Sequence, residues 1–445
     1  MLHSFVLCFY SFSYFLVVRS PEEGGAGIFA KTHINKEETI IALPSKHYNL
    51  ETLMNLIPNE IQTKTSVLEK LINGGNDDKT MALIGALTCA CLLKDHCENV
   101  NAAIGPYWNV LATTNCQDHV LYWSQEEVDS LLMNTISWTK VGDTHQALRK
   151  MKQVLGPSLT SDTSMSLYRT LSQDDVMSTI QKSLALAVSR VFSHPSYGYQ
   201  MLPVIDLLNH SHENNVQWCM QDDARAMVVA VRDIKQGEEL YSSYGKKGSW
   251  DWGTDYGFCP DRHSWNDSVA IPLLPLSLNL SEDMISSISE WLYDSLRHRV
   301  DILSLTIQRS QDDSKSRVIR PCIIWKMSRP LSELLAIYNP IVQVLEDLGC
   351  DNHIIPRSKK LRLDNKDALD SYRGYELALD CLISRLEYLN QGSLISKQWI
   401  NNHNDKVSDW RIILSNNLRE AEWDTCIDMK RRLELHLRKE GFHVA

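Results

Sequence analysis

Near the start of this chain, apolar positions alternate with polar ones only in short runs. Gly24-Gly-Ala-Gly-Ile-Phe-Ala30 and His33-Ile-Asn-Lys-Glu-Glu-Thr-Ile-Ile-Ala-Leu43 predict a glycine turn, a short strand, a polar turn and a second strand, with Pro44 ending the pairing. A similar phrase returns as Asp233-Ile-Lys-Gln-Gly-Glu-Glu-Leu-Tyr-Ser-Ser-Tyr244, again a short β-turn-β unit. Between the two, residues from about 46 to 190 carry helical spacing, beginning with Tyr48 to Ile57 and continuing through the apolar run after Asp78. Ser124-Gln-Glu-Glu127 before Val128, Leu131 and Leu132 is a capping box, and Ser172-Gln-Asp-Asp175 is a weaker helix start of the same kind. A helical block therefore interrupts a β-rich unit.

After Ala270 the spacing turns helical again. Met284, Ile288, Trp291 and Leu292 share one face, as do Leu369, Tyr372, Leu379, Leu382, Ile383, Leu386 and Leu389 on another helix. Polar stretches at Arg309 to Arg317 and Asp351 to Asp367 read as loops between helices. The pattern predicts an α+β chain in which a β-fold of short strands with inserted helices, over about 21–270, precedes an all-α region over 271–445. The first twenty residues are largely apolar, with no Asp, Glu, Lys or Arg before Arg19. Tyr14 to Val18 reads either as a first strand or as part of an anchor or signal, although the basic flank and small-residue cleavage site of a secretory signal are missing.

Composition narrows the possible partners. The 45 basic and 55 acidic residues leave a formal charge of -10, which argues against a broad grip on a phosphate backbone and suits a basic protein partner. Eleven cysteines, odd in number and never spaced CxxC, fit reduced thiols in a cytoplasmic or nuclear compartment, with no metal site expected. Cys89 and Cys91 fall in a run that reads as a buried helix.

The chemistry concentrates in Leu202-Pro-Val-Ile-Asp-Leu-Leu-Asn-His-Ser211, then Gly237-Glu-Glu-Leu-Tyr-Ser-Ser-Tyr-Gly245, then Asp255-Tyr-Gly-Phe258. An apolar run ending in Asn-His-Ser brings polar groups to the edge of a core, where they need partners. Taken alone, Asn209-His210 reads as a satisfied structural pair, Gly24 to Gly27 as a hairpin turn and Arg190 as a solvated face of a helix. The ordered set resembles the SET-domain methyltransferases, specifically the branch of the Rubisco large-subunit methyltransferase. That branch has a helical insertion within the SET fold and an α-helical substrate-binding domain behind it.

The resemblance implies S-adenosylmethionine as cofactor and a lysine-bearing protein as substrate; alongside it, a monomeric chain with no direct nucleic-acid binding and no stable membrane insertion is expected. It places Gly24, Gly25, Ala26 and Gly27 in a loop approaching the cofactor and Arg190, of Ser189-Arg190, beside it. Asn209 and His210 match the pair that holds the cofactor. Asp206 matches an acidic residue near the target side chain, Tyr244 the catalytic tyrosine and Tyr256 a wall of the lysine channel. Trp218, Tyr241, Trp250 and Trp252 could serve that channel or the core equally. One segment departs from the branch: Lys246-Lys-Gly-Ser-Trp-Asp-Trp-Gly-Thr254 has Ser249 in place of the usual Asn and introduces Gly253, a poor helix former. Methylation of histidine, or a SET fold kept only for binding, are the competing readings.

Overall fold

The computed structural model describes residues 27–43, 118–160, 173–196, 198–259, 266–274, 301–308, 317–347, 366–403 and 407–439, with 48–49, 53, 55, 83–88, 90–91, 107 and 290. Two compact units result. The first draws on Met1–Gln117 and His145–Gly245, the second on Asp118–Thr144 and Lys246–Ala445. The reading of Tyr14 to Val18, and that of Met284, Ile288, Trp291 and Leu292, fall outside the described residues.

In the first unit, the two similar phrases pair with each other. Ile34 and Ile234 exchange both main-chain hydrogen bonds at 2.9 Å, and Phe29 forms an isolated antiparallel bridge with Glu239. Each polar turn closes in the same way: Glu38 accepts from the Asn35 N–H at 2.9 Å, and Glu238 from the Lys235 N–H at 3.0 Å. The correspondence extends outward, since Glu37 N–H donates to Ala230 O while Gly237 N–H donates to Ala30 O. Ile28, Ile34, Ile234 and Leu240 are buried at this junction. The repeated phrase is thus a local two-fold arrangement that brings Gly27 to Ala30 beside residues 237–240.

Strand β1 (Thr39–Leu43) continues from the first turn and pairs antiparallel with β7 (Ala226–Ala230), which in turn pairs with β6 (Val216–Met220). Ala226, Val228 and Ala230 are buried while Met227 and Val229 are less so, the period of two expected of a strand with one face on a core. Tyr48–Asn49 forms strand β2, which corrects the helical reading there. It pairs with β4 (Gly198–Met201), and β4 with β3 (Val191–His194). Leu53 and Asn55, further along, are helical. The helix Gln173–Arg190 starts with Asp174 and Asp175, whose charge favours a helix N-terminus, and buries Val176, Ile180, Leu184 and Ala187. Cys91 is buried within helix, as read.

Among the described residues the second unit is helical around a three-stranded sheet, which the apolar spacing did not reveal and which corrects the all-α reading of 271–445. Strand β9 (Ser268–Pro272) pairs antiparallel with β11 (Arg317–Lys326), which pairs with β10 (Asp301–Gln308). All five residues of β9 are buried, and a strand buried on both faces shows no alternation. Helices Leu331–Asp347, Lys366–His403 and Asp409–Lys439 supply the rest of this core, in which Trp325, Tyr338, Leu382 and Met429 are buried.

The capping box at Ser124 forms as predicted: the Glu127 N–H donates to Ser124 Oγ at 3.1 Å, and the Ser124 N–H to Glu127 Oε2 at 2.7 Å. The turn that follows is fastened by buried charge. Arg419 donates to the carbonyls of Leu131 and Met133 at 2.7 and 2.9 Å, while Glu422 pairs with fully buried Arg385 and accepts the Ile136 N–H at 2.8 Å. Burial lowers the Arg419 pKa to about 10, against the attraction of Glu422. Gly392 lets this turn approach the helix, because a Cβ there would sit 2.3 Å from the Met133 carbonyl oxygen. Gly392→Ala gains about 1 kcal/mol of helix propensity but forces a main-chain carbonyl away, an overpacking cost of about 1–3 kcal/mol. A net loss of stability is therefore expected in urea unfolding.

Candidate functional site

The run Leu202 to Ser211 ends in a tight main-chain path. Val204 is held at φ 73° and ψ -47°, a conformation costly for a β-branched residue, on the order of 1–3 kcal/mol. A 3-10 turn over Ile205–Leu207 follows, closed by Leu207 N–H on Val204 O at 3.0 Å. It delivers Asn209–His210 (β5), which runs parallel to Tyr241–Ser242 (β8), with Asn209 beside Tyr241 and His210 beside Ser242. Buried Asn215 locks the pairing, accepting the Tyr241 N–H at 2.7 Å and donating to Glu239 O at 2.7 Å.

This pairing brings Tyr244 onto the Asn-His pair. The Tyr244 hydroxyl donates to Leu208 O at 2.6 Å, and its N–H donates to His210 Nδ1 at 3.2 Å. With Nδ1 accepting, the ring proton of a singly protonated His210 sits on Nε2. The two rings lie 5.4 Å apart. Asn214, Val216, Gln217, Trp218, Ser242 and Ser243 line an open cavity of about 450 Å³, so the end of β8 and the residue after it form part of its wall.

Arg190, the last residue of its helix, meets Asp206. Its Nη1 donates to the Asp206 carbonyl at 2.6 Å and lies 3.6 Å from Oδ2 of the carboxylate. The Asp206 side chain is fully buried and also accepts from the Tyr107 hydroxyl. Burial raises its pKa above the ordinary aspartate value, with Arg190 and Tyr107 pulling the other way. The pairing of Arg190 with Asp206 and the part played by Tyr107 have no local sequence signal, since 16 and 99 residues separate the partners.

Gly27 closes the other side. A Cβ there would lie 2.2 Å from Glu239 Oε1 and 3.1 Å from Asn209 Nδ2, so its main chain lies against both groups. Glu239 accepts from Asn209 Nδ2 at 2.7 Å and from the Tyr241 hydroxyl at 2.6 Å. The second contact, with some burial, pushes the Tyr241 pKa up to about 12. Gly24, Gly25 and Ala26 lie outside the described residues. Gly27, Arg190, Asp206, Asn209, His210 and Tyr244 all belong to the first unit. Glu239 and Asn215 are additions; their only sequence signal is polarity beside short strands.

Tyr256 belongs to the second unit. It ends the helix Ser249–Tyr256, which forms despite Gly253 because Asp267 accepts the Ser249 N–H at 2.6 Å and Asp251 the Gly248 N–H at 3.2 Å. Its ring packs at 5.3 Å from Trp252, and the Lys247 ammonium, paired with Asp255 at 2.6 Å, lies 5.3 Å from the ring centre. Burial raises the Tyr256 pKa well above the usual tyrosine range, helped by the Asp255 and Asp251 charges. Trp252 is buried and Trp250 packs on the Ile136 and Ala270 cluster, so both are core residues.

A model of the SET domain matches residues 25–245. N-lysine methyltransferase setd6 of Salmo salar is 27% identical over 187 residues, 38% of this chain and 39% of that protein. The actin-histidine N-methyltransferase of Gallus gallus is 27% identical over 268 residues, 57% of this chain and 40% of that protein. The chain thus spans about two-fifths of the length of these curated relatives. Rubisco LSMT bound to AdoMet, a solved structure, aligns with TM-score 0.59 and 14% identity over 97% of this chain and 89% of that one. At that identity the likeness establishes the fold.

Proposed function

The chain belongs to the SET-domain family, in the branch built like Rubisco LSMT, and from that premise we propose that it is an S-adenosylmethionine-dependent protein-lysine N-methyltransferase. The observation that carries this reading is the joining of Tyr244 to the Asn209-His210 segment, through Leu208 O and His210 Nδ1. The surrounding groups fit the cofactor. The Asn209 amide, the His210 ring and the Arg190 guanidinium offer donors and acceptors for its amino-acid and adenine ends, and glycine at 27 leaves room for the Glu239 carboxylate that holds the Asn209 amide. When bound, the cofactor supplies a methyl group on a positively charged sulfur.

Lysine must be neutral to react, which costs about 4 kcal/mol near pH 7.4 for an ordinary side chain. Burial of its amine offsets part of that. The Tyr244 hydroxyl and the Leu208 carbonyl, 2.6 Å apart, are oriented polar groups that can hold an amine in line. Such alignment carries much of the rate in a displacement between two bound partners. The formal charge of -10 favours a basic protein substrate over nucleic acid.

Incubating the purified chain with methyl-labelled cofactor and a cell extract is expected to label one or a few proteins, with the label recovered as methyllysine. Recovery as methylhistidine would replace lysine by histidine as target, the activity named for the Gallus gallus relative. Cofactor binding without any labelled protein would leave a binding module.

A further inference from the structure

We propose that Glu239 is a positioning residue for the cofactor: its carboxylate dictates which way the Asn209 amide faces beside the Gly27 main chain. The inference rests on the cofactor reading above. An ionised carboxylate only accepts hydrogen bonds. Glu239 Oε1 takes Asn209 Nδ2 at 2.7 Å, so the amide oxygen of Asn209 is turned away from it. A reversed amide would set that oxygen against the carboxylate, which repels it.

Three further contacts keep Glu239 in place. The Tyr241 hydroxyl donates to Oε2 at 2.6 Å, Asn215 Nδ2 donates to the Glu239 carbonyl at 2.7 Å, and Phe29 pairs with Glu239 across the antiparallel bridge. Gly27 completes the bracket, since any side chain there would meet Oε1. The result is an Asn209 amide held one way round, with Oδ1 on the side away from Glu239. Its complement is an N–H group, and the cofactor has two such groups, the adenine amine and the methionine ammonium.

Glu239→Gln tests this at constant size, because a glutamine amide donates as well as accepts and imposes neither orientation on Asn209. Calorimetry on the full chain is expected to show S-adenosylmethionine binding about tenfold weaker, about 1.4 kcal/mol. Asn209→Ala is expected to lose a similar factor, and the double variant no more than either single one, because the two residues act as one unit. Gly27→Ala, which pushes on Oε1 from the other side, is expected to weaken binding too. Independently, the phenol titration assigned to Tyr241 by its loss in Tyr241→Phe should fall from about 12 toward about 10 in Glu239→Gln. Unchanged affinity in Glu239→Gln, or losses that add in the double variant, would overturn the inference alone. A wild-type chain that binds no cofactor would overturn the functional reading and this inference with it.

Discussion

Tyr244→Phe is expected to slow methyl transfer by about 100- to 1,000-fold, the range found when one oriented donor is removed from a reaction centre, while cofactor affinity stays within about twofold. The variant keeps the ring, so the contact with His210 at 5.4 Å remains. It also keeps the main-chain N–H that donates to His210 Nδ1 at 3.2 Å. Only the hydroxyl on Leu208 O is lost. Ground-state binding should therefore survive, and alignment of the amine should not. Initial rates with labelled cofactor, paired with cofactor calorimetry on the same variant, separate the two. An unchanged rate would remove the hydroxyl from the mechanism; a parallel loss of affinity would make Tyr244 a structural support of the Asn209-His210 segment.

The positions that place this hydroxyl were legible for a physical reason. Leu202 to Ser211 is a run whose apolar residues fill a core and whose polar end must find partners, and both properties are local. The two β-turn-β phrases were legible as well, but that they pair with each other was not, because a hydrogen bond between Ile34 and Ile234 leaves no mark in either segment. The same limit hid Glu239 against Gly27 and Tyr107 against Asp206. Strand β9 was missed for a different reason: Ser-Val-Ala-Ile-Pro is buried throughout, so the alternation that marks a half-exposed strand is absent. Tyr48–Asn49 is too short to show any period. The Ser124 capping box is legible down to its atoms, because its partners are three residues apart.

Arg190→Met should be the most damaging single change for stability near the site, at about 3–5 kcal/mol, the cost of breaking a buried ion pair by removing one partner. The Asp206 side chain is fully buried and that of Arg190 nearly so. Methionine fills part of the volume but leaves the carboxylate without its cationic partner. The loss should depend on pH in a definite direction. Burial already raises the Asp206 pKa above its ordinary value, and Arg190 is the largest opposing influence, so its removal raises the pKa further. With the folded value above the unfolded one, the native state holds its proton more tightly, and stability present in acid is lost as pH rises through the folded pKa. The deficit of Arg190→Met should therefore be largest at neutral pH and shrink toward the ordinary aspartate range. Adding Asp206→Asn removes the buried charge, so the double variant should regain part of the stability at neutral pH and lose the pH dependence. Urea unfolding of wild type, single and double variants across that range measures all three. A deficit that is flat with pH would mean that Arg190 acts by packing and by its bond to the Asp206 carbonyl rather than through the carboxylate.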